Sequence, residues 1–320
     1  NGIVIVSDEM VLGKTTEGEQ GIAWLKGLQI VNGGQTTASL YFTKKKYSDT
    51  DLRRVRVPAK IIVMKAQDST KEEALVSDIS RYANSQNAVR QSDLSANKPF
   101  HVEIEKLSRQ VYCPDGVGQW FYERAAGSYN TLLAREGNTP ARLKALKEAI
   151  PPARRITKTD LAKYLNAWDC KPDIVSMGSQ KNFDRFMAAL SPADGQEAPL
   201  PTVADYKAMI AKAKLYRDAQ KMIRPMFQAF QANVTAYTLA VLSEKLGARI
   251  ELDRIWAKQA VSPELMGQIA KWAKEVNDTL HATSGGRMVS EWAKRPECKD
   301  AVMGASYSEP ADGIPEVKAS

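Results

Sequence analysis

The most informative stretch of this sequence is Gln29-Ile-Val-Asn-Gly-Gly-Gln-Thr-Thr37. The apolar run that leads into it, residues 23–31, predicts a strand, and Asn-Gly-Gly is a strong break in any strand. From Gln35 onward, apolar residues return at helical spacing, as at Leu40 and Tyr41. The stretch therefore predicts a strand, a tight turn and a helix start in direct succession.

This predicted turn has the residues of an anion site. Two adjacent glycines let a bound group approach the backbone, and a helix start offers N–H groups and a positive dipole end. Gln35 can donate and accept hydrogen bonds, and the threonines supply hydroxyls. The alternative is an ordinary link in which Asn32 and Thr36 act as caps, and the lack of a following lysine excludes a P-loop. The candidate ligand-binding residues here are Asn32, Gly33, Gly34, Gln35, Thr36 and Thr37.

A second candidate segment, residues 82–93, is rich in amide side chains at the end of a predicted helix. Amides and arginines read base edges or bind phosphates. They also form loops and caps, and that interpretation stays open. If the segment binds a ligand, it supplies the wall that faces Gln35. Its candidate residues are Asn84, Gln86, Asn87 and Arg90.

A third segment, Gln119-Trp-Phe-Tyr-Glu-Arg124, combines aromatic rings with an arginine. Such a set can stack on nucleic-acid bases, and Tyr122, Glu123 and Arg124 are candidates of the third rank. The simpler interpretation is a buried strand face with Glu123 and Arg124 as an outward ion pair. Basic residues between 142 and 158 could contact phosphates, although a solvated helix face explains them equally well.

The predicted elements alternate in the first part of the chain and are helical in the rest. Strands are expected over 2–12, 23–31, 55–65 and 119–124, and helices from Gln35, over 71–84 and over 99–111. From residue 140 the helix signals prevail. We expect an α+β fold: a small mixed β-sheet core with helices, then an all-α C-terminal domain. The expected domains are an α+β core 1–130, a helical extension 131–200 with a linker 191–202, a helical domain 203–303 and a loose tail 304–320.

Composition limits the classes of protein that this chain can be. It has 320 residues, a net charge of +8, three cysteines and two histidines. The widely spaced cysteines argue against a disulfide framework or a zinc site and suit a reducing cytoplasm. No apolar stretch approaches a membrane span, so no membrane association is expected. Because the chain starts with Asn1 and enters a strand at once, we expect residues upstream of it.

Six motifs in order resemble the AIPR family, the abortive infection phage resistance proteins. The resemblance runs from residue 1 to about residue 300 and implies a role in phage defence. It does not name a reaction. The motifs are Asn1-Gly-Ile-Val-Ile5, the stretch 29–37, Ala83-Asn-Ser-Gln-Asn-Ala-Val89, Phe121-Tyr-Glu-Arg124, Ile156-Thr-Lys-Thr-Asp-Leu161 and Gly178-Ser-Gln-Lys-Asn-Phe183, with Glu291-Trp-Ala-Lys294 after them.

A fainter resemblance, to the DGQHR group and the ParB/sulfiredoxin-like fold, rests on the order strand, Asn-Gly-Gly-Gln, helix and strand. It implies nucleotide or phosphate binding at the turn. The chain departs from that pattern by its extra Gly34 and by Thr36-Thr37 where His-Arg would stand. This departure weakens the case for NTP hydrolysis more than the case for ligand binding.

The sequence thus leaves three functions open. The first is a defence protein with a cleft that binds a phosphate, a nucleotide or nucleic acid. The second is a nuclease or NTPase that acts on phage nucleic acid, which would need a divalent metal. The third is a sensor or scaffold that recognises a phage protein, with an exposed apolar patch over residues 204–300. The partners to consider are therefore a nucleotide or nucleic acid, a phage protein and a second copy of the chain.

Overall fold

The structure, a computed structural model, describes residues 2–64, 79, 98–190 and 199–318. The chain divides into two compact units, residues 1–90 and 91–320, whereas the sequence placed the first domain boundary at residue 130. The first unit contains small sheets and the second is mostly helical, which confirms the α+β class. Apart from residue 79, the predicted helix over 71–84 lies outside the described residues.

The described part of the first unit, residues 2–64, contains five strands and one helix. β1 (Ile3–Ser7) pairs with β4 (Gln29–Asn32) antiparallel and with β5 (Ala59–Val63) parallel. The sheet order is therefore β4-β1-β5, and the sheet is mixed. β2 and β3 form a separate antiparallel hairpin. In chain order the elements are β1 Ile3–Ser7, β2 Glu9–Lys14, β3 Gln20–Lys26, β4 Gln29–Asn32, α1 Gly34–Lys46 and β5 Ala59–Val63.

Two strands that the sequence predicted as continuous are each divided, which corrects the predictions over 2–12 and 23–31. The chain bends between β1 and β2 and again at Gly27, which has a left-handed φ of 64°. Ser7 holds the two bends together, since its hydroxyl lies 2.7 Å from both the Glu9 and the Lys26 carbonyl oxygens. A Cβ on Gly27 would lie 1.9 Å from a carboxylate oxygen of Asp8. The bends need these tertiary contacts, and hydrophobic alternation does not reveal them.

The second unit is a set of packed helices with one two-stranded parallel sheet, β6 paired with β7. Several starts follow the predicted capping signals: the Thr139 and Thr157 hydroxyls each accept a backbone N–H three residues later. The elements are α2 Pro99–Gln110, β6 Phe121–Glu123, α3 Ser128–Glu136, α4 Pro140–Ala149, β7 Arg155–Thr157, α5 Lys158–Trp168, α6 Pro172–Ser176, α7 Ser179–Ala189, α8 Val203–Ile223, α9 Gln231–Leu246, α10 Leu252–Lys258, α11 Pro263–Thr283, α12 Val289–Trp292 and α13 Pro296–Met303.

The core of this unit lies where α8, α9 and α11 meet. Tyr216, Tyr237 and Trp272 come from these three helices and are buried. Burial of aromatic rings of this size dominates the energy of a core. None of the helices in the described residues combines the length and the apolar composition that crossing a membrane requires.

The chain after Gly304, for which the sequence predicted a loose tail, packs against this core. The Glu316 carboxylate accepts the backbone N–H and the hydroxyl of Ser262, at 2.7 and 2.6 Å, where α11 begins. Trp272 donates its indole N–H to the Ser308 carbonyl at 2.8 Å. A polar, glycine-containing segment looks loose in sequence because its partners lie about 40 residues away or more. The helices α3, α6, α7, α10 and α13 were also missing from the prediction.

Candidate functional site

The predicted turn and helix start are present in the first unit. Gly33 is the N-cap of α1 and has a left-handed φ of 96°. A Cβ there would lie 2.8 Å from the Gly2 carbonyl oxygen and from the Ile3 Cα, so Gly33 serves the packing of the turn on β1. Gly34 is different, because among the described residues nothing outside its chain neighbours and its own helix backbone lies within 4 Å of its Cβ position. The second glycine therefore leaves open space beside the helix start.

The start of α1 has no side-chain cap and no acidic residue in its first turn. Gly33 occupies the N-cap position, so neither Asn32 nor Thr36 is the N-cap residue. The Thr37 hydroxyl donates to the Gly33 carbonyl at 3.2 Å, which is a bond within the helix. The hydroxyl proton of Thr37 is therefore already bonded to the backbone. The backbone N–H groups remain the main donors that this turn can offer an anion.

The residues expected to face this turn, Asn84, Gln86, Asn87 and Arg90, lie outside the described residues. The predicted two-walled cleft therefore stays a prediction. In the described residues, no three histidine, cysteine, aspartate or glutamate side chains form a group that could hold a metal ion.

Within residues 204–300, where an exposed apolar patch was considered, the large apolar side chain that is exposed is Met288. Several large apolar side chains are exposed on the β2–β3 hairpin, such as Leu12 and Trp24.

The third-ranked residue Tyr122 lies in the core of the second unit. It is 3% exposed, and its hydroxyl lies 2.6 Å from Nδ1 of His101, which is itself fully buried. Nε2 of His101 lies 3.1 Å from the Met187 sulfur, which can only accept. A neutral His101 therefore carries its proton on Nε2, and its Nδ1 accepts a hydrogen bond from the Tyr122 hydroxyl. Burial, with Lys158 and Arg124 nearby, lowers the pKa of His101 to about 4.

Glu123 and Arg124 do not form the outward ion pair that the sequence predicted. Glu123 is 7% exposed, accepts the Gly127 backbone N–H at 2.9 Å and lies 3.5 Å from Arg155. Arg124 pairs with Glu105 of α2 at 2.5 Å. Glu123 ends a strand of three buried residues and Arg124 follows it, and the side chains of both turn to partners from other elements, which the local sequence does not show.

A cleft of about 650 Å³ lies in the second unit, and the sequence did not predict it. One wall is the face of α8 that carries Lys214, Arg217, Asp218 and Lys221, and the other is the segment 151–155. Residues spaced by three and four share a helix face, so the spacing of these four charged residues in the sequence indicates one charged face of the helix. Arg154 and Arg155, which line the cleft, belong to the basic set that the sequence had singled out.

Arg217 ties the two walls of the cleft together. Its guanidinium donates to the Tyr164 hydroxyl at 2.9 Å, to the Ala153 carbonyl at 2.8 Å and to the Arg155 carbonyl. It also lies over the ring of Trp120, 5.7 Å from the centroid. These bonds hold the segment 151–155 against α8.

The sequence of this chain matches a known protein family. The model of the family described as AIPR protein matches residues 1–284. Neither a curated protein nor a solved structure matches the chain. The fainter resemblance to the ParB/sulfiredoxin-like fold therefore finds no support. The match, which spans most of the 320 residues, shows that this chain belongs to the AIPR protein family.

Proposed function

We propose that this protein acts in abortive-infection phage resistance by binding a phosphate group, of a nucleotide or of nucleic acid, at the start of α1. Membership of the AIPR family supports the biological role. The observation that supports the chemistry is the helix start itself, which carries no side-chain cap and no acidic residue. Such a start has a positive dipole end and backbone donors that suit an anion.

Two further features of α1 support this proposal. Space for a ligand is open at Gly34, since among the described residues no atom other than those of its chain neighbours and its own helix backbone lies within 4 Å of its Cβ position. At the other end of the helix, Lys44 donates to the Ser48 and Thr50 carbonyl oxygens at 2.7 and 2.9 Å. A cation suits the negative end of the helix dipole. The C-terminal end of α1 thus has a stabilising charge from the protein, whereas its N-terminal first turn has no acidic residue.

The test uses Gly34→Asp with Gly34→Asn as its matched control. Both side chains enter open space, but the aspartate places a negative charge where the phosphate would bind. Calorimetric titration of the full chain with ATP should show binding for the wild type and for Gly34→Asn. Binding to Gly34→Asp should be at least about tenfold weaker, a loss of about 1.4 kcal/mol.

The same variants distinguish a binding defect from a folding defect. An acidic residue at a helix start stabilises the helix by about 0.3–1 kcal/mol, so Gly34→Asp should unfold no earlier than Gly34→Asn. In cells that carry the full chain, Gly34→Asp should lose phage protection, as measured by plaque counts. Equal ATP binding and equal protection by the two variants would refute the proposed site.

A further inference from the structure

We propose that the cleft between α8 and the segment 151–155 binds a phosphorylated small molecule. This site lies in the second unit and is separate from the start of α1, so it goes beyond the proposed function. It rests on the charges that line the cleft, on the donors of Arg217 and on the size of the space.

The carboxylates that line the cleft each have a cation of their own. Asp115 lies 3.6 Å from Arg154, and Glu148 lies 4.0 Å from Lys144. Asp218 pairs with Lys214 one helical turn away. Ion pairs with neighbouring side chains therefore compensate the charges of these three carboxylates, and none of them needs a cationic ligand.

The fourth carboxylate, Asp160, is held by Lys163 at 3.1 Å and by the Thr157 hydroxyl at 2.9 Å. Burial alone would raise the pKa of Asp160, but Lys163, Thr157 and the charge of Arg217 together hold it below its ordinary value. Asp160 thus has a close cation of its own, and Arg217 acts on it only from a greater distance.

Two cations of the cleft, Arg217 and Lys221, have no ion pair among the described residues. They stand four residues apart on α8 and so lie on one face of that helix. The acceptors of Arg217 are two carbonyls and a hydroxyl, all of them neutral. Asp160 interacts with Arg217 electrostatically, but no carboxylate of the described residues forms an ion pair with this partly buried guanidinium, and an anionic ligand would supply that directly bonded charge.

Arg217 retains the means to bind such a ligand. A guanidinium has five N–H donors, and three of those of Arg217 are used in the bonds that hold the segment 151–155. The bonds already made fix the orientation of the group, so little conformational entropy would be lost on binding. Lys221 is exposed and would add a second, mobile point charge.

The size and charge of the cleft indicate the class of ligand. Two cations without an ion pair in the described residues match a phosphate monoester, which carries about −1.5 to −2 charges at neutral pH. A space of about 650 Å³ exceeds a bare phosphate and falls in the range of small-molecule sites. Pro151 and Pro152 give one wall an apolar surface for the organic part. Asp115, Glu148 and Asp218 pair with neighbouring cations, so the cleft lacks the row of unpaired cations that suits the continuous phosphate backbone of a nucleic acid.

The experiment measures binding of AMP and of inorganic phosphate to the full chain in the Gly34→Asp background, so that the start of α1 does not contribute. Lys221→Gln should weaken binding about fivefold or more. Asp218→Asn should strengthen it severalfold, because it frees Lys214 for the ligand. The matched control is Lys274→Gln, an exposed lysine of α11 without an ion pair in the described residues, which should change nothing. Thermal melts should show that all variants remain folded.

The outcomes separate the possible ligands. Tighter binding of AMP than of phosphate, with opposite effects of the Lys221 and Asp218 variants, supports a phosphorylated organic molecule. Equal binding of both, with the same two effects, supports a site for free phosphate. Absence of binding, equal effects of Lys221→Gln and Lys274→Gln, or binding of an oligonucleotide alone would overturn the proposal. Loss of ATP binding at α1 would not, because that site is removed in this background.

Discussion

Acidification should destabilise this protein through His101. The histidine is fully buried between aromatic rings, 5.7 Å from the Phe183 ring and 6.1 Å from the Tyr122 ring by their centroids. Burial, with Lys158 and Arg124 nearby, lowers its pKa from 6.5 to about 4. Between these two pH values the unfolded chain binds a proton that the folded chain does not, so stability must fall as the pH falls.

The size of this effect follows from the shift in pKa. Each unit corresponds to about 1.4 kcal/mol, so the whole shift is worth about 3 kcal/mol. About 2 kcal/mol of this should be lost between pH 7 and pH 5, and the rest as the pH approaches 4. Above pH 6.5 the contribution is complete, and it no longer depends on pH.

Urea unfolding at pH 7, 6 and 5 measures the effect, with His101→Phe as the test variant. The phenyl ring keeps the aromatic packing but leaves the Tyr122 hydroxyl without its acceptor, which costs about 1–3 kcal/mol at every pH. The variant should therefore start less stable at pH 7 and then lose about 2 kcal/mol less than the wild type on the way to pH 5.

The chain offers its own control for this experiment. It has two histidines, and His281 is exposed on α11. In His281→Gln the single remaining imidazole NMR signal belongs to His101 and should titrate near pH 4. Parallel curves for the wild type and His101→Phe, or titration of that signal near pH 6.5, would refute the reasoning.

Two further substitutions test the fold. Gly33→Ala should cost at least about 2 kcal/mol in urea unfolding, because the residue has a φ of 96° and a Cβ would lie 2.8 Å from the Ile3 Cα; Gly34→Ala, in open space, should cost nothing, and equal losses would contradict this account of the turn. Glu316→Gln should lower stability by about 1–2 kcal/mol, because it weakens two charge-assisted bonds to the start of α11, whereas the exposed Glu309→Gln should have no effect.

The sequence alone determined the parts of this protein that depend on neighbouring residues. The strand, turn and helix of residues 29–37 follow from an apolar run, two glycines and helical spacing, and the structure confirms them. The capping threonines at 139 and 157 mark true helix starts for the same reason. Family membership also followed from short motifs in order, and the family match confirms it.

Only the tertiary structure decided how distant residues meet. Glu123 and Arg124 face partners from other elements. The segment after Gly304 forms hydrogen bonds with residues of α11 and its start. The cleft forms because Arg217 of α8 donates to the carbonyls of residues 153 and 155. A hydrogen bond between residues more than 60 positions apart leaves no periodic trace in the sequence. Local spacing therefore predicts where a helix begins, whereas the direction and partner of a charged side chain depend on the packing of the whole unit.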